Sequence, residues 1–371
     1  MQANKVFLAG YYGMQNSGDD ALLMSSALGA KRFLDAKSIA ISSPTRVKLP
    51  MLEAFAPQLA EKQSFRGENR ARYLWSAAKA NQIVVGGGPV SQSTCDINLK
   101  RLMMKLAGKG PHMALGVGVG PFDTLRAERA CAKFLKECDY VGVRDEESYE
   151  IAIALAPNAN IEMTFDIAPL LIDYIKDDDV VKHKRSGIGV ALCPKERLNG
   201  RPQAEQKRLR EIASALTVAS RNSGEPIFLI DLNGHQELGD ASVHRELRAY
   251  IPSDLPVFSV SYNTNPLRLL ERLKNLRVII GMRLHASILA FMVETPVISL
   301  SDHSECVGWC NQIGVPQEYR FDTHNVEANQ LSSALLFGLE SGYQRPCLTP
   351  DQAYKAARKN FENAIATKRN S

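Results

Sequence analysis

The sequence lacks any apolar run long enough to cross a membrane. None of its 371 residues belongs to a stretch approaching the ~18 consecutive apolar residues of a spanning helix. Residues 5–10 form an apolar stretch that is too short for a secretory signal and is typical of a first β-strand. We therefore expect a cytoplasmic protein.

The sequence also lacks the cysteine pattern of a disulfide-bonded protein. The seven cysteines are odd in number and include no Cys-x-x-Cys motif, which argues against a disulfide framework and favours a reducing compartment. Cys306 and Cys310 lie four residues apart, but no second close pair of ligands accompanies them. We therefore expect no metal site there.

The sequence has little excess charge of either sign. A formal net charge of +5 is small and dispersed, which argues against a nucleic-acid-binding protein and is compatible with anionic ligands. The composition, with 45% apolar and 23% charged residues, is that of a globular protein. A chain of 371 residues exceeds one ordinary core and predicts two domains.

The sequence does contain a regular alternation of short apolar runs and helix-length segments. This alternation is typical of βαβ units on parallel sheets and predicts an α/β fold. A charged, aperiodic run at 176–185 has the composition of a linker. We predict an N-terminal domain over 1–175, a C-terminal domain over 186–345, and a final helix over 346–371 that packs back on the first domain.

The strongest candidate site follows the apolar run at 278–281. Arg283 and His285 stand where this predicted strand ends and a short amphipathic helix begins. In an open parallel sheet, the carboxyl edge is where ligands bind. A core unit needs neither a guanidinium nor an imidazole there, so we interpret both side chains as functional.

Polar side chains follow other predicted strands in the same way. Arg144 follows the strand at 140–143, although its acidic neighbours could simply neutralise it and cap the next helix. In the C-terminal half, His235, His303 and Glu305 occupy strand-to-helix loops, and His235 is the one most readily explained as incidental. Polar groups at strand ends in both halves predict a cleft between the two domains.

Glycine-rich turns accompany these strand ends. An early turn leads into Asp19 and Asp20, which fit plain helix capping and a sugar-hydroxyl or general-base role equally well. A run of three glycines that ends in Gly87 and Gly88 favours a loop whose backbone approaches a ligand. The segment 113–121 alternates glycine with small residues, and both ligand contact and close packing explain it.

A basic and aromatic stretch covers residues 62–79. It combines Lys62, Arg66, Arg70, Arg72 and Lys79 with Phe65, Tyr73, Leu74 and Trp75. Such a stretch could rest on an anionic membrane surface. The simpler alternative is a solvated helix face with an aromatic anchor in the core.

Taken together, these segments resemble the polysaccharide pyruvyl transferase family, in that family's order and over roughly residues 5–305. The matching blocks are the early turn ending at Asp20, the glycines 86–88, the element 116–121, Arg144 with its acidic neighbours, and above all Gly281-Met282-Arg283-Leu284-His285-Ala286. The resemblance implies two Rossmann-like domains in a glycosyltransferase-B-like arrangement with an interdomain cleft. It also implies transfer of pyruvate from phosphoenolpyruvate to hydroxyls of a saccharide, which makes a ketal.

The family's Arg-Leu-His block is associated with donor binding and catalysis, which carries over to Arg283, Leu284 and His285. Family members often have a lysine shortly after the strand that follows this block. Here that loop has none, so either His303 substitutes or the donor contacts differ. The acceptor could be lipid-linked, polymeric or nucleotide-bound.

This chemistry assigns the expected roles. Arg283 and Arg144 would clamp the anionic ends of the donor, and His285 would transfer a proton, with acid and base roles both open. The predicted catalytic residues are His285, Arg283 and Asp19, and the predicted substrate-binding residues are Arg144, Leu284, Gly87, Gly88, His303, Glu305 and Asp166. No step requires a metal or a redox cofactor.

Two other classes stay open at this point. A nucleotide-sugar glycosyltransferase of the same architecture would need a base pocket and a diphosphate site, and the C-terminal half shows no convincing glycine-rich phosphate loop. The non-enzyme alternative is a sugar- or anion-binding protein that kept the fold and lost catalysis.

Overall fold

The computed structural model describes residues 4–44, 54–55, 64–90, 93–175, 184–301 and 303–370. The chain forms two α/β units, which confirms the predicted fold class. The first unit comprises residues 1–14, 19–172 and 351–371, and the second comprises residues 15–18 and 173–350. Most of the predicted linker, up to residue 183, falls outside the described residues.

The first unit is built on a parallel sheet. Its strands are β1 (Lys5–Ala9), β2 (Ser38–Ile41), β3 (Ala54–Phe55), β4 (Gln82–Gly86), β5 (Met113–Val117), β6 (Tyr140–Val143) and β7 (Ile161–Met163). Their order in the sheet is β3-β2-β1-β4-β5-β6-β7. The central strands are buried throughout, as apolar runs covered on both faces require. The order reverses between β1 and β4, so the switch point of this sheet lies at their carboxyl ends.

The helices of this part of the chain alternate with the strands. They are α1 (Ser17–Phe33), α2 (Glu68–Ala78), α3 (Thr94–Leu106), α4 (Leu125–Glu137) and α5 (Glu146–Leu155), followed by a 3₁₀ helix (Ala168–Tyr174). Helix α1 begins at Ser17, because the Asn16 side chain accepts the Gly18 amide at 2.9 Å and caps the helix there.

The second unit repeats the pattern on a smaller parallel sheet. Its strands are β8 (Ile188–Ala191), β9 (Ile227–Ile230), β10 (Val257–Val260), β11 (Val278–Gly281), β12 (Val297–Leu300) and β13 (Arg320–Phe321). Its helices are α6 (Lys195–Leu198), α7 (Pro202–Ser223), α8 (Asp240–Tyr250), α9 (Pro266–Lys274), α10 (Leu284–Met292), α11 (Ser304–Ile313) and α12 (Ala328–Ser341). The strand order β10-β9-β8-β11-β12-β13 places the switch point between β8 and β11.

The last helix, α13 (Pro350–Asn370), packs in the first unit, where it buries the amide side chain of Asn360. Asn360 Oδ1 accepts the Gly116 amide at 2.7 Å and the Thr164 hydroxyl at 2.8 Å. Asn360 Nδ2 donates to the Phe165 carbonyl at 2.9 Å. This side chain therefore satisfies backbone groups of β5 and of the loop after β7. No helix in the described ranges combines the length and apolarity needed to cross a bilayer.

We expect Asn360→Ala to lower the free energy of unfolding by about 2–5 kcal/mol, because it leaves a buried amide and a buried carbonyl without partners. Urea unfolding followed by circular dichroism measures this loss. The exposed neighbour on the same helix provides the control, since Lys359→Ala should change stability by less than about 0.5 kcal/mol. Equal effects of the two substitutions would contradict this account of the helix.

Candidate functional site

The Arg283–His285 segment lies at the carboxyl edge of the second sheet, as predicted. Strand β11 ends at Gly281, and Arg283 is the residue that precedes α10. A Cβ atom on Gly281 would lie only 2.7 Å from the Ser287 hydroxyl oxygen. A larger residue here would therefore displace the Ser287 hydroxyl, whereas glycine lets the first turn of α10 fold closely over the end of the strand.

Arg283 is held by a buried carboxylate on α8. Its Nη2 donates to Asp240 Oδ1 at 2.5 Å, and its Nε donates to Asp240 Oδ2 at 3.0 Å. Asp240 is fully buried, and its Oδ2 also accepts the amides of Leu232 and Asn233 at 3.0 and 2.9 Å. One carboxylate thus connects Arg283, the loop after β9 and the start of α8.

The segment 15–18 packs against the same loop and against His285. The Ser17 amide donates to the Leu232 carbonyl at 2.9 Å. A Cβ atom on Gly18 would lie 2.6 Å from both Cγ and Nδ1 of His285. Gly18 therefore has a structural reason to be glycine, since a larger residue would displace the imidazole.

A cavity of about 210 Å³ opens at this edge of the sheet. It is lined by Asn16, Cys193, Lys195, Leu232, Met282, Arg283, Leu284, His285, Ser301, His303, Glu305 and Cys306. The structure therefore brings five of the predicted site residues together: Arg283, Leu284, His285, His303 and Glu305.

Two helices begin at this cavity. Arg283 and His303 are the residues that precede α10 and α11, and neither caps its helix with its side chain. The amides of a first helical turn carry partial positive charge and favour an anion nearby. The cavity thus combines cationic side chains with two helix starts, an arrangement suited to a small anionic ligand.

Lys195 lines the cavity and is absent from the sequence-based site. It is the first residue of α6, and it shortly follows β8. Strand β8 pairs directly with β11, with Val190 opposite Ile280, so the segments after both strands meet at one edge. The available signal was a lysine soon after an apolar strand, in the same topological position as Arg283.

Two cysteines that line the cavity have thiols with raised pKa values. Burial raises the pKa of Cys306 to about 12, and burial also raises the pKa of Cys193. Neither group supplies a thiolate nucleophile near neutral pH. Cys310 is likewise buried with a raised pKa, and no cluster of three or more metal-ligating side chains occurs in the described part of the chain.

The remaining predicted histidine has a local structural role. His235 lies in the loop after β9, where its Nδ1 accepts the amides of Glu237 and Leu238 at 3.2 and 3.1 Å. It is exposed and does not line the cavity. Its place is explained by the turn that it stabilises.

In the first unit, the structure brings Arg144 and Asp166 together at the carboxyl edge. Both are buried, and Arg144 forms ion pairs with Asp145 at 3.3 Å and with Asp166 at 4.0 Å. A Cβ atom on Gly118 would lie 2.8 Å from Arg144 Nη2, so this glycine makes room for the guanidinium. These contacts match the alternative in which acidic neighbours neutralise Arg144, and a role on substrate stays a prediction.

The predicted glycine loop follows β4 at the switch point of the first sheet. Gly87 has a positive φ of 68°, and a Cβ atom there would lie 2.5 Å from Leu22 of α1. Gly88 also has a positive φ, of 74°, but a Cβ atom there would meet nothing within 4 Å. Close packing therefore accounts for Gly87, whereas the backbone conformation alone accounts for Gly88.

The carboxylates Asp19 and Asp20 lie in the first turn of α1. There they interact favourably with the helix dipole, which is the capping role that the sequence left open. Asp20 is buried and Asp19 is half-buried. A catalytic role for Asp19 stays a prediction.

Helix α2 contains most of the basic and aromatic stretch, although Lys62 falls outside the described residues. Trp75 is 67% exposed and Phe65 is 59% exposed, and the Lys79 ammonium lies 4.7 Å from the centre of the Trp75 ring. Tyr73 and Leu74 are the side chains that pack on the core. The structure therefore contains the expected aromatic anchor, which is Tyr73, whereas Trp75 does not pack on the core.

Comparison with known proteins places this site in a family. The family model for polysaccharide pyruvyl transferases matches residues 16–304, which include the second sheet through β12 and the Arg283–His285 segment. The chain belongs to the polysaccharide pyruvyl transferase family. Comparison with curated proteins gave no significant match.

Solved structures with the same fold include a Listeria monocytogenes protein described as a UDP-N-acetylglucosamine 2-epimerase. That structure has a TM-score of 0.67 at 10% identity and covers 99% of this chain and 96% of its own. The Methanocaldococcus jannaschii UDP-GlcNAc 2-epimerase has a TM-score of 0.64 at 13% identity and covers 98% of this chain and 99% of its own. The galactosyltransferase WaaB of the lipopolysaccharide outer core has a TM-score of 0.54 at 13% identity and also covers 98% of this chain and 99% of its own. These likenesses show the fold, two Rossmann-like domains as in glycosyltransferase-B enzymes.

We expect Asp240→Asn to lower the free energy of unfolding by about 3–5 kcal/mol, because it removes the buried negative charge that pairs with Arg283. Urea unfolding measures the loss. Asp254 pairs with Arg221 at 3.4 Å on the surface, so Asp254→Asn should cost less than about 1 kcal/mol. If Asp240→Asn cost no more than this control, the Asp240–Arg283 pair would not be what holds the site together.

Proposed function

We propose that the protein transfers the pyruvyl unit of phosphoenolpyruvate to two hydroxyls of a saccharide and forms a pyruvate ketal. The observation that carries this proposal is the grouping of the Arg-Leu-His block, His303 and Glu305 around one cavity in a chain of the pyruvyl transferase family. The cavity is small and its cationic side chains suit a compact anion such as this donor.

Arg283 is the proposed donor clamp. Asp240 binds its Nε and Nη2 atoms, which fixes the plane of the guanidinium before any ligand arrives. A preoriented guanidinium loses little conformational entropy when it binds a carboxylate or a phosphate. Leu284 and the first amides of α10 complete this side of the site.

The reaction needs one proton to reach the methylene carbon of the donor. That transfer leaves an oxocarbenium-like carbon at C2, which the first saccharide hydroxyl attacks. The second hydroxyl then displaces phosphate, so a C–O bond to the acceptor forms as the C–O bond to phosphate breaks. One hydroxyl proton replaces the proton given to the methylene carbon, and the other leaves with the phosphate.

His285 is the proposed proton carrier. Imidazole both gives and takes protons near neutral pH, so one ring can protonate the methylene carbon and recover a proton from the attacking hydroxyl. Gly18 packs against the ring and holds it in place. Glu305 and His303, from the start of α11, are the groups proposed to orient the hydroxyls.

The first unit is proposed to bind the acceptor. Its candidate residues are Arg144, Asp166, Gly87 and Gly88, with Asp19 as a carboxylate for the complementary proton transfer. All but Asp19 follow strands of the first sheet at its carboxyl edge, where ligands bind in such sheets. Arg144 is moved here from the donor clamp expected from the sequence, because its ion pairs with Asp145 and Asp166 place it among acidic groups of the first unit.

We expect His285→Gln to lower the transfer rate by about 10²- to 10⁴-fold, the usual contribution of a positioned acid–base group. Arg283→Lys should lower kcat/KM for phosphoenolpyruvate by about 10- to 100-fold, since it keeps a charge for Asp240 but loses the planar fork. Phosphate release in the presence of a panel of saccharide acceptors measures both.

The choice of variants separates a loss of catalysis from a loss of folding. Arg283→Ala is avoided, because it would leave Asp240 buried without its charge partner, so lost activity could reflect unfolding. His235→Gln is the control, since this histidine is exposed and lies outside the cavity, and it should keep full activity. Full activity of folded His285→Gln would remove the proposed mechanism.

Ligand binding distinguishes the proposed function from its alternative, a nucleotide-sugar glycosyltransferase. A ligand that binds the native state raises the melting temperature by mass action. Phosphoenolpyruvate should raise it in a thermal-shift experiment. Stabilisation by a uridine or guanosine diphosphate sugar, and none by phosphoenolpyruvate, would replace the proposal with the alternative.

We also propose that the exposed side chains of residues 65–79, which include α2, contact the inner surface of the membrane, where a lipid-linked acceptor would be found. Phe65 and Trp75 are exposed, with Arg66, Arg70 and Lys79 nearby in the chain. Exposed aromatics beside basic residues suit an anionic lipid surface.

Co-sedimentation with phosphatidylglycerol-containing vesicles tests this contact. The double variant Phe65→Ala/Trp75→Ala should bind these vesicles at least about tenfold more weakly, because two aromatic side chains no longer enter the interface. Phe337→Ala provides a matched control on α12, since Phe337 is similarly exposed. Equal binding by the double variant and the control would rule out this contact.

A further inference from the structure

Among the described residues that line the cavity are two basic side chains besides the histidines, Arg283 and Lys195. Asp240 neutralises Arg283, and Glu305 adds a carboxylate to the lining. Lys195 adds a positive charge to this lining. A lysine there favours an anionic donor, which the Glu305 carboxylate by itself would repel.

Lys195 also occupies the expected position for a ligand contact. The strand order reverses between β8 and β11, and parallel α/β sheets bind ligands in the crevice at this reversal. Lys195 follows β8 and Arg283 follows β11, so the two cations lie on the two sides of the crevice.

The chain before Lys195 is anchored by a buried histidine. The Leu192 amide donates to His244 Nε2 at 3.1 Å, so Nε2 is unprotonated and Nδ1 carries the ring hydrogen. His244 Nδ1 then donates to Asp231 Oδ1 at 2.6 Å. This chain of hydrogen bonds ties the end of β8 to the end of β9.

The chain after Lys195 is anchored by buried ion pairs. Glu196 pairs with Arg208 of α7, and both side chains are almost completely buried. Arg197 pairs with Glu205 at 2.5 Å and with Glu246 of α8 at 2.6 Å. Residues on both sides of Lys195 are therefore fixed to the scaffold, which places this one lysine at the cavity with little freedom of its backbone.

We propose that Lys195 is a substrate-binding residue that holds the phosphate group of the donor. This inference rests on the proposed function, because it names one contact within the same site. A lysine ammonium is a compact point charge suited to a doubly charged phosphate, whereas the planar Arg283 suits the planar carboxylate at the other end of the donor.

Kinetics of the full-length protein carrying Lys195→Gln test the proposal. The KM for phosphoenolpyruvate and the inhibition constant of inorganic phosphate should both rise about 10- to 100-fold, as expected for loss of one charge-assisted hydrogen bond. The inhibition constant of pyruvate, which has the carboxylate but no phosphate, should stay within about twofold. Lys195→Arg should recover most of the affinity for phosphate, because it restores the charge.

The exposed lysine of α7 supplies the control, and Lys207→Gln should leave all three constants unchanged. An unchanged inhibition constant for phosphate in folded Lys195→Gln overturns the proposal. An equal rise for pyruvate also overturns it, since Lys195 would then bind the carboxylate or act only on the fold.

Failure of the proposed function is distinguishable from failure of this inference. If the wild-type protein does not turn over phosphoenolpyruvate with any acceptor, the proposed function fails. Isothermal titration calorimetry with inorganic phosphate then still compares wild type with Lys195→Gln. Absence of phosphate binding by the wild type, or equal binding by both proteins, overturns the assignment of Lys195.

Discussion

The second unit depends on one buried carboxylate. Asp240 receives two backbone amides from the loop after β9 and the guanidinium of Arg283 from the loop after β11. These loops belong to strands that are not neighbours, since β8 lies between β9 and β11. Asp240 therefore connects two strand ends across a third and sets the position of Arg283, while the segment 15–18 closes over His285.

The same topological feature organises each unit separately. Each sheet is parallel and reverses its strand order once, and chemically distinctive residues follow the strands at that reversal. In the first sheet they are the glycines after β4, and in the second they are Lys195 after β8 and the Arg-Leu-His block after β11. At a reversal the connections that follow the two neighbouring strands leave toward opposite faces of the sheet, which leaves space for a ligand.

The fold could be predicted from the sequence because strands that are covered on both faces must be apolar runs. Strands β4, β5, β6 and β11 are runs of this kind and are buried throughout. Arg283 and His285 could be predicted because a charged group at such a strand end has no packing explanation. Lys195 is only weakly signalled in the sequence. A lysine soon after an apolar strand points to it, but its short helix looks polar and irregular, and only the pairing of β8 with β11 shows that it reaches the cavity. The burial of Arg144 was equally hidden, since Asp166 lies far along the chain.

The ion pairs beside Lys195 are hard to explain by stability alone. Removing Glu196, Glu205 and Arg208 from water costs several kcal/mol per charge, and apolar residues of similar size are often as stabilising in such places. Ion pairs differ from apolar contacts in that they specify which groups meet and at what distance. A four-residue helix has no hydrophobic face of its own to set its register. Directional charge pairs are therefore the means by which so short a helix can present its first residue, Lys195, at a defined point of the cavity.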